Sequence, residues 1–360
     1  MVKPKLKIGI VGCGGIANGK QMPSLSKVEA VEMVAFCDII EERAQTAALD
    51  YGAQDAKVFT DFYDLLNEDL DVVHVCTPNK SHAEISIAAL ESGKHVMCEK
   101  PMAKTAAEAR EMVEAAKRSG KKLSIGYNNR FRNDSQYLKK VSEDGEFGEI
   151  YFAKAHAIRR RAVPTWGVFL NEEEQGGGPL IDIGTHALDL TLWLMNNYDV
   201  RSVIGNVYHK LSDNKDAANA FGPWDPKEFN VEDSAFGFIT LKNGATIILE
   251  SSWALNSLDV GEAKSTLCGT EGGADMNDGL RINGEKYGKL HTTKPELDAG
   301  GVDFYSGEDE SDSDREARLW IESLQNNKEP VVLPEQALVV SEILEAIYQS
   351  ARTGQPVYFE

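Results

Sequence analysis

Paired cysteines are missing from this chain. Its five cysteines, Cys13, Cys37, Cys76, Cys98 and Cys268, form no Cys-x-x-Cys pair, which argues against a zinc ribbon or a disulfide framework. Four of them lie in short apolar runs of the N-terminal third, where a small buried hydrophobe fits. A reduced, cytoplasmic protein without a structural metal is therefore expected. No run of about 18 apolar residues is present, so no membrane span is expected. Positive charge is scarce: a formal net charge of -19 argues against nucleic acid or an anionic membrane surface as a partner. No internal repeat is visible. The first twelve residues, three lysines and then an apolar stretch, superficially resemble a secretory signal. Removing them would delete the first strand of an otherwise complete repeating pattern, so they are read as structure.

What is present is the material of a soluble protein, 360 residues with 42% hydrophobic and 26% charged. That length predicts two domains. From Lys5 to Gly126 short apolar runs alternate with helical stretches. Leu6 to Val11, Glu32 to Cys37, Val72 to Cys76, His95 to Cys98 and Leu123 to Ile125 read as strands. Gly15 to Ser26, Glu41 to Tyr51, Ser81 to Ser92 and Thr105 to Ser119 read as helices, several opening on Ser or Thr and closing before Gly. This alternation predicts a parallel, doubly wound α/β sheet.

After Gly126 the texture changes to longer β-branched and aromatic runs, at Glu149 to His156, Val200 to His209, Ser234 to Leu241 and Ala245 to Trp253. The last two are joined by Lys242-Asn243-Gly244, where Asn-Gly is expected to supply the positive φ angles of a tight hairpin. Helices are expected at Gly184 to Met195, Arg315 to Gln325 and Pro334 to Thr353, on one face of a mostly antiparallel sheet. The division predicted is 1–127 for the doubly wound domain and 128–360 for an α/β domain with the mostly antiparallel sheet. Glu296 to Asp314 is acidic and poor in apolar residues; it lacks calcium-loop spacing and reads as a solvated loop.

Gly12-Cys13-Gly14-Gly15-Ile16-Ala17 forms G-x-G-x-x-A between the first strand and the first helix. Gly12 permits a tight turn, Gly14 and Gly15 let a pyrophosphate approach the backbone, and Ala17 lets helix and strand pack closely. Asp38 follows the next apolar run, twenty-one residues after Ala17. An acid there accepts hydrogen bonds from the adenosine ribose and repels a 2′-phosphate, which favours NAD over NADP without excluding dual use. Thr77-Pro78-Asn79 with His82 follows a strand end and should border the cofactor; His82 reads as a ligand neighbour or as a partly buried histidine at a helix start. Glu99-Lys100-Pro101 also ends a strand. Lys100 is placed to bind a reacting oxygen or relay a proton, with an ordinary turn lysine as the alternative.

The glycine loop, Thr77-Pro78-Asn79 with His82, Glu99-Lys100-Pro101 and the Gly-Gly-Gly-x-Leu-x-Asp-x-Gly-x-His-x-x-Asp run from Gly176 to Asp189 together resemble the glucose-fructose oxidoreductase/inositol dehydrogenase/rhizopine-catabolism (Gfo/Idh/MocA) family. The resemblance spans nearly the whole chain. It implies a Rossmann domain, then an α/β domain whose large open sheet often forms a homodimer or homotetramer. It also implies a nicotinamide dinucleotide and reversible oxidation of a secondary hydroxyl on a sugar, glycoside, inositol or related polyol. By motif, Lys100 and His186 match the catalytic lysine and histidine, and Asp182 the acid that binds substrate or orients the histidine. Asn128 and Tyr127, just past the Rossmann domain, match positions facing nicotinamide or substrate. Asp189, one turn beyond His186, is read as supporting the helix.

Arg159-Arg160-Arg161 and Trp166 lie before the glycine run. The arginines read either as a grip for a phosphate or carboxylate, or as partners for acidic loops. Trp166 reads either as a flat wall for a pyranose or as a core residue. The arginines carry a second reading, a dehydrogenase of a sugar phosphate or sugar acid; the family resemblance carries a third, a dinucleotide-sensing regulatory protein on the same fold, since some family members bind dinucleotide without catalysis.

Overall fold

The structure, a computed structural model, describes residues 4–214, 217–297 and 310–360. Its contacts divide it into two compact units. One runs to Asn128 and takes in Glu310–Leu338; the other begins at Asn129 and ends with Val339–Glu360. Most of the acidic segment lies outside the described residues. Its end, from Glu310, belongs to the first unit rather than to the later part of the chain. There the helix Asp312–Gln325 starts three residues before the sequence reading places it, because Ser311 caps it by accepting from the Asp314 amide.

The first unit is built on six parallel strands: β1 (Leu6–Val11), β2 (Val31–Cys37), β3 (Lys57–Phe59), β4 (Val72–Val75), β5 (His95–Cys98) and β6 (Leu123–Ile125). Their spatial order is β3-β2-β1-β4-β5-β6. The order reverses at β1, and ligands bind such sheets beyond the carboxyl ends of the strands at that point. Ile8, Ile10, Phe36 and Val72 are fully buried, as strands covered on both faces require. The helix Ala106–Ser119 shows how local sequence sets an element. Thr105 and Glu108 form a reciprocal capping box at its start, and Gly120 closes it with a φ of 67°. Ala317, Trp320 and Ile321 of the helix Asp312–Gln325 pack into the core beside Ile8, Met22 and Leu25.

The second unit carries one nine-stranded mixed sheet. Its strands are β7 (Ile150–Ile158), β8 (Val200–Tyr208), β9 (Ser234–Leu241), β10 (Thr246–Ser252), β11 (Gly261–Gly269), β12 (Gly272–Asp275), β13 (Arg281–Lys286), β14 (Lys289–Thr293) and β15 (Val357–Tyr358). Their order is β14-β13-β12-β11-β7-β10-β9-β8-β15, antiparallel except for β7 with β10. One face is covered by helices. Gly205 and Gly237 pair across β8 and β9, and a Cβ at either would press on Ile347 of the helix Pro334–Thr353. The β9–β10 hairpin differs from expectation. Only Gly244 has a positive φ, 92°, and Gly244 N–H donates to Leu241 C=O. The three-residue loop is thus an ordinary turn followed by a left-handed glycine, which needs only one such residue.

Candidate active site

In the first unit the turn after β1 is built by close backbone approach. Gly12 has a φ of 91°, and a Cβ there would stand 2.6 Å from the Cys76 carbonyl oxygen, so only glycine fits. Gly14 and Gly15 face open space, Ile16 is exposed, and Ala17 is fully buried against the sheet. Asp38 clamps this turn. Its Oδ2 accepts from Cys13 N–H at 2.9 Å and its Oδ1 from Ile40 N–H at 2.9 Å. A carboxylate has about four acceptor sites, so two remain for ribose hydroxyls. Burial beside the charge of Asp38 pushes the Cys13 thiol up to about 12, and it stays protonated.

The helix that follows opens on a wider turn, Ala17–Gln21, in which Met22 N–H reaches back five residues to Ala17 C=O. Such widened turns are rare and concentrate at functional sites. This one carries Lys20 and Gln21, which meet Glu99 beneath the loop after β5. His74 Nδ1 lies 3.2 Å from Gln21 Oε1, Gln21 Nε2 donates to Glu99 Oε1 at 2.7 Å, and Lys100 N–H donates to Glu99 Oε2 at 3.3 Å. Burial holds His74 neutral, with its pKa lowered to about 3. Its one ring proton therefore sits on Nδ1, facing the amide oxygen. Lys20 bridges Glu99 at 3.4 Å and Glu316 at 2.8 Å. Glu99, expected among the cofactor contacts, is 6% exposed and holds this network together. Burial alone would raise its pKa, but Lys20 and Gln21 outweigh it and the carboxyl is lowered.

His82 is buried between the loops that follow β4 and β5. Its Nδ1 is 2.8 Å from Pro101 C=O and its Nε2 is 2.9 Å from Thr77 C=O, so it ties the loop after β4 to the loop after β5. The Lys100-Pro101 peptide bond is cis. Thr77 Oγ1 is buried without a hydrogen-bond partner among the described residues. An orphaned hydroxyl beside an open glycine turn fits a polar cofactor edge. Pro78 is exposed, whereas Asn79 is buried and Asn128 half-buried. Tyr127 is 1% exposed.

In the second unit the glycine run exists for close approach. A Cβ at Gly177 would collide with the Tyr348 hydroxyl, and one at Gly178 with the Glu232 carbonyl oxygen. Glu232 is 2% exposed and accepts from Gly178 N–H at 2.8 Å, Leu180 N–H at 3.1 Å and the Tyr348 hydroxyl at 2.9 Å. Ser251 Oγ donates to Pro179 C=O at 2.7 Å. These contacts pin a second widened turn, Leu180–Gly184, ahead of the helix Thr185–Met195. The expected single helix start is thus a widened turn carrying Asp182, followed by a first α-turn carrying His186. Both side chains are half-buried.

Asp182 Oδ2 accepts from Trp253 Nε1 at 2.9 Å and lies 3.9 Å from Arg159 Nη1. Glu262 clasps Arg159 with both oxygens, at 2.6 and 2.7 Å. Arg161 donates to Asn256 and to the Arg160 carbonyl. Trp166 is 51% exposed and meets Phe169 and Phe221 edge-on, at ring-centroid distances of 5.7 and 4.7 Å, so it is not a core residue. Asp189 does support its helix: fully buried, it receives a two-pronged bond from Arg130 Nε at 2.9 Å and Nη2 at 2.6 Å. Trp253, Glu262, Glu232, Lys20 and Gln21 escaped the sequence reading, since no local motif marks them.

A parallel sheet with an open glycine turn at its switch point, clamped by an acid at the end of β2, is the architecture of a dinucleotide-binding Rossmann fold. The oxidoreductase-family model for an NAD-binding Rossmann fold matches residues 6–127, and that for its C-terminal α/β domain matches residues 139–359. The chain belongs to the Gfo/Idh/MocA family of oxidoreductases. It is 37% identical over 358 residues to a D-glucoside 3-dehydrogenase of Escherichia coli K12, covering 99% of this chain and 98% of that one. It is 36% identical over 193 residues to an inositol 2-dehydrogenase of Salmonella typhimurium, covering 53% of this chain and 55% of the other. Among solved structures, an aldose-aldose oxidoreductase from Caulobacter crescentus complexed with glycerol matches with a TM-score of 0.80 and 26% identity, covering 99% of this chain and 100% of that one.

Proposed function

We propose that this protein is an NAD-dependent dehydrogenase that reversibly oxidises a secondary hydroxyl of a sugar, glycoside or inositol, with a glycoside oxidised at carbon 3 as the leading substrate. The observation that carries this reading is the intact pair Asp182, on a pinned, widened turn, and His186, on the α-turn that follows it, in a chain alike over nearly its full length to a D-glucoside 3-dehydrogenase. NAD bound at the glycine turn would supply the hydride acceptor. His186 accepts the hydroxyl proton as general base. Asp182, steadied by Trp253, is the carboxylate that binds a neighbouring hydroxyl. Lys100, on the loop held by Glu99, donates to the reacting oxygen. Arg159 and Trp166 are proposed as substrate neighbours. Gly12, Gly14, Gly15, Ile16, Ala17, Asp38, Thr77, Pro78, Asn79, His82 and Asn128 are proposed to form or support the cofactor site.

Residues 1–127 are proposed to carry the cofactor role and 128–360 the substrate role, apart from Asn128 and Glu310–Leu338, which belong to the first unit. The sheet face away from the helices supports a homo-oligomer. Ile204, Phe238 and Ile248 stand in register across β8, β9 and β10, with Ile204 43% and Phe238 48% exposed. A cytoplasmic location is proposed from the unpaired use of cysteine. Among the described residues no helix is long and apolar enough to cross a membrane.

The test is a panel of glucosides, free hexoses, inositols and sugar phosphates with NAD and NADP, repeated with His186→Ala. Turnover of a neutral polyol with NAD, lost in His186→Ala while NAD binding persists, is expected. Undiminished turnover in the variant rejects the proposed base, and turnover of no polyol by the native protein favours the dinucleotide-sensing reading.

A further inference from the structure

Three adjacent arginines in an acidic protein invite the idea of an anion grip, and the structure places each of them. Arg160 is exposed, Arg161 is engaged with Asn256 and a carbonyl, and Arg159 alone among the three stands beside Asp182. The Nε and Nη2 edge of Arg159, the fork that would take a phosphate or carboxylate, is already filled by Glu262. Its Nη1 donates to Ala162 C=O at 3.2 Å. One guanidinium thus stands between two carboxylates, Asp182 and Glu262, and the group carries net negative charge.

The backbone that presents Glu262 is irregular. β11 pairs Gly261 with Ile158 and Lys264 with His156, so three steps along β11 match two along β7. This is a bulge, and inside it Ala263 adopts a φ of 47°, a left-handed conformation that a residue with a Cβ rarely takes. Its carbonyl is held by Arg132 Nη1 at 3.0 Å. Bulges re-aim side chains, and strained backbone of this kind gathers at ligand sites. Here the bulge lies next to the glutamate that occupies Arg159.

We infer that Glu262 is a specificity-determining residue. By filling the fork of Arg159 it turns away sugar phosphates and sugar acids, and it leaves the Asp182 side of the site to uncharged glycosides and polyols. This rests on the dehydrogenase reading above and sharpens its substrate class. A phosphate entering beside Asp182 would have to displace Glu262 from Arg159 and then face both carboxylates, an arrangement that repulsion disfavours.

The test compares the native protein with Glu262→Gln, which keeps the side chain's size and removes its charge. Binding of glucose 6-phosphate and of methyl glucoside is measured by calorimetry, and turnover with NAD is measured separately. Glu262→Gln is expected to bind glucose 6-phosphate about tenfold tighter than the native protein, with methyl glucoside affinity changed by less than about threefold. Adding Arg159→Met to Glu262→Gln is expected to abolish that gain. Thermal melting confirms that each variant is folded, and Glu262→Ala serves in place of any that is not. Equal glucose 6-phosphate affinity in native and variant protein, or a gain that survives Arg159→Met, overturns the inference. If no polyol is turned over but the affinity shift appears, the dehydrogenase reading fails while the role of Glu262 stands.

Discussion

Trp253 donates its indole N–H to Asp182 Oδ2 at 2.9 Å, from a ring that is itself fully buried. The bond fixes one oxygen of a carboxylate on the turn before His186. A hydrogen bond to a charged group contributes about 1.5–3 kcal/mol. Trp253→Phe keeps most of the packing and removes this donor. Steady-state kinetics should show kcat/KM for a neutral glycoside lowered by about tenfold or more, with the melting temperature little changed. Unaltered kcat/KM would mean that the bond does not position Asp182 for the reaction.

Gly177 and Gly178 are expected to fail differently. The obstacle at Gly177 is the Tyr348 hydroxyl, and that at Gly178 is the Glu232 backbone carbonyl. Gly177→Ala should be partly rescued by Tyr348→Phe, which removes the clashing oxygen. No side-chain change should rescue Gly178→Ala. Chemical denaturation of the single and double variants measures this, and equal rescue of both would contradict the packing described.

Lys20 holds Glu99 and Glu316 with little solvent to help, since the three side chains are 13%, 7% and 2% exposed. Burial opposes its ammonium, yet Glu316 and Glu99 outweigh that and raise its pKa, so it stays charged throughout the neutral range. Lys20→Met strands two buried carboxylates. Removing one partner of such a group costs about 3–5 kcal/mol. Lys20→Met combined with Glu316→Gln should recover part of the loss, as measured by urea unfolding. A double variant less stable than Lys20→Met alone would count against the network.

His95 accepts the Lys122 N–H on its Nδ1 at 2.9 Å, and burial beside Lys121 and Lys122 lowers its pKa to about 4. The folded state therefore binds fewer protons than the unfolded chain between about pH 6.5 and about pH 4. Stability from this site is present above about pH 6.5, declines as pH falls through that window, and changes no further below it. At about 1.4 kcal/mol per pKa unit, the decline is up to about 3 kcal/mol. His95→Gln should flatten that part of the stability profile in urea unfolding from pH 7 to pH 4. An unchanged slope would remove His95 as its cause.

Much of the first unit was legible because its elements are written locally. Leu6–Val11, His95–Cys98 and Leu123–Ile125 read as strands from their apolar runs alone, and Thr105 announced its helix. The three-residue β3 and the helix Asn133–Glu143 were not foreseen. Strands β12 to β14 were missed as well. Glycine-rich or polar, with β14 exposed along its whole length, they carry no alternation to read.

By itself, then, the sequence determined the family, the parallel sheet with its cofactor turn, and the residues Lys100, Asp182 and His186 as candidates for chemistry. Each of those signals is a short motif whose meaning depends on neighbours a few residues away. Only tertiary structure decided what surrounds them. Gln21 meets Glu99 across 78 positions, Trp253 reaches Asp182 across 71, and Glu262 takes Arg159 across 103. Hydrogen bonds and charge pairing act over a few ångströms of space whatever the distance along the chain. So the partners that set the loop under Lys100, steady Asp182 and occupy Arg159 appear only once the fold has brought them together.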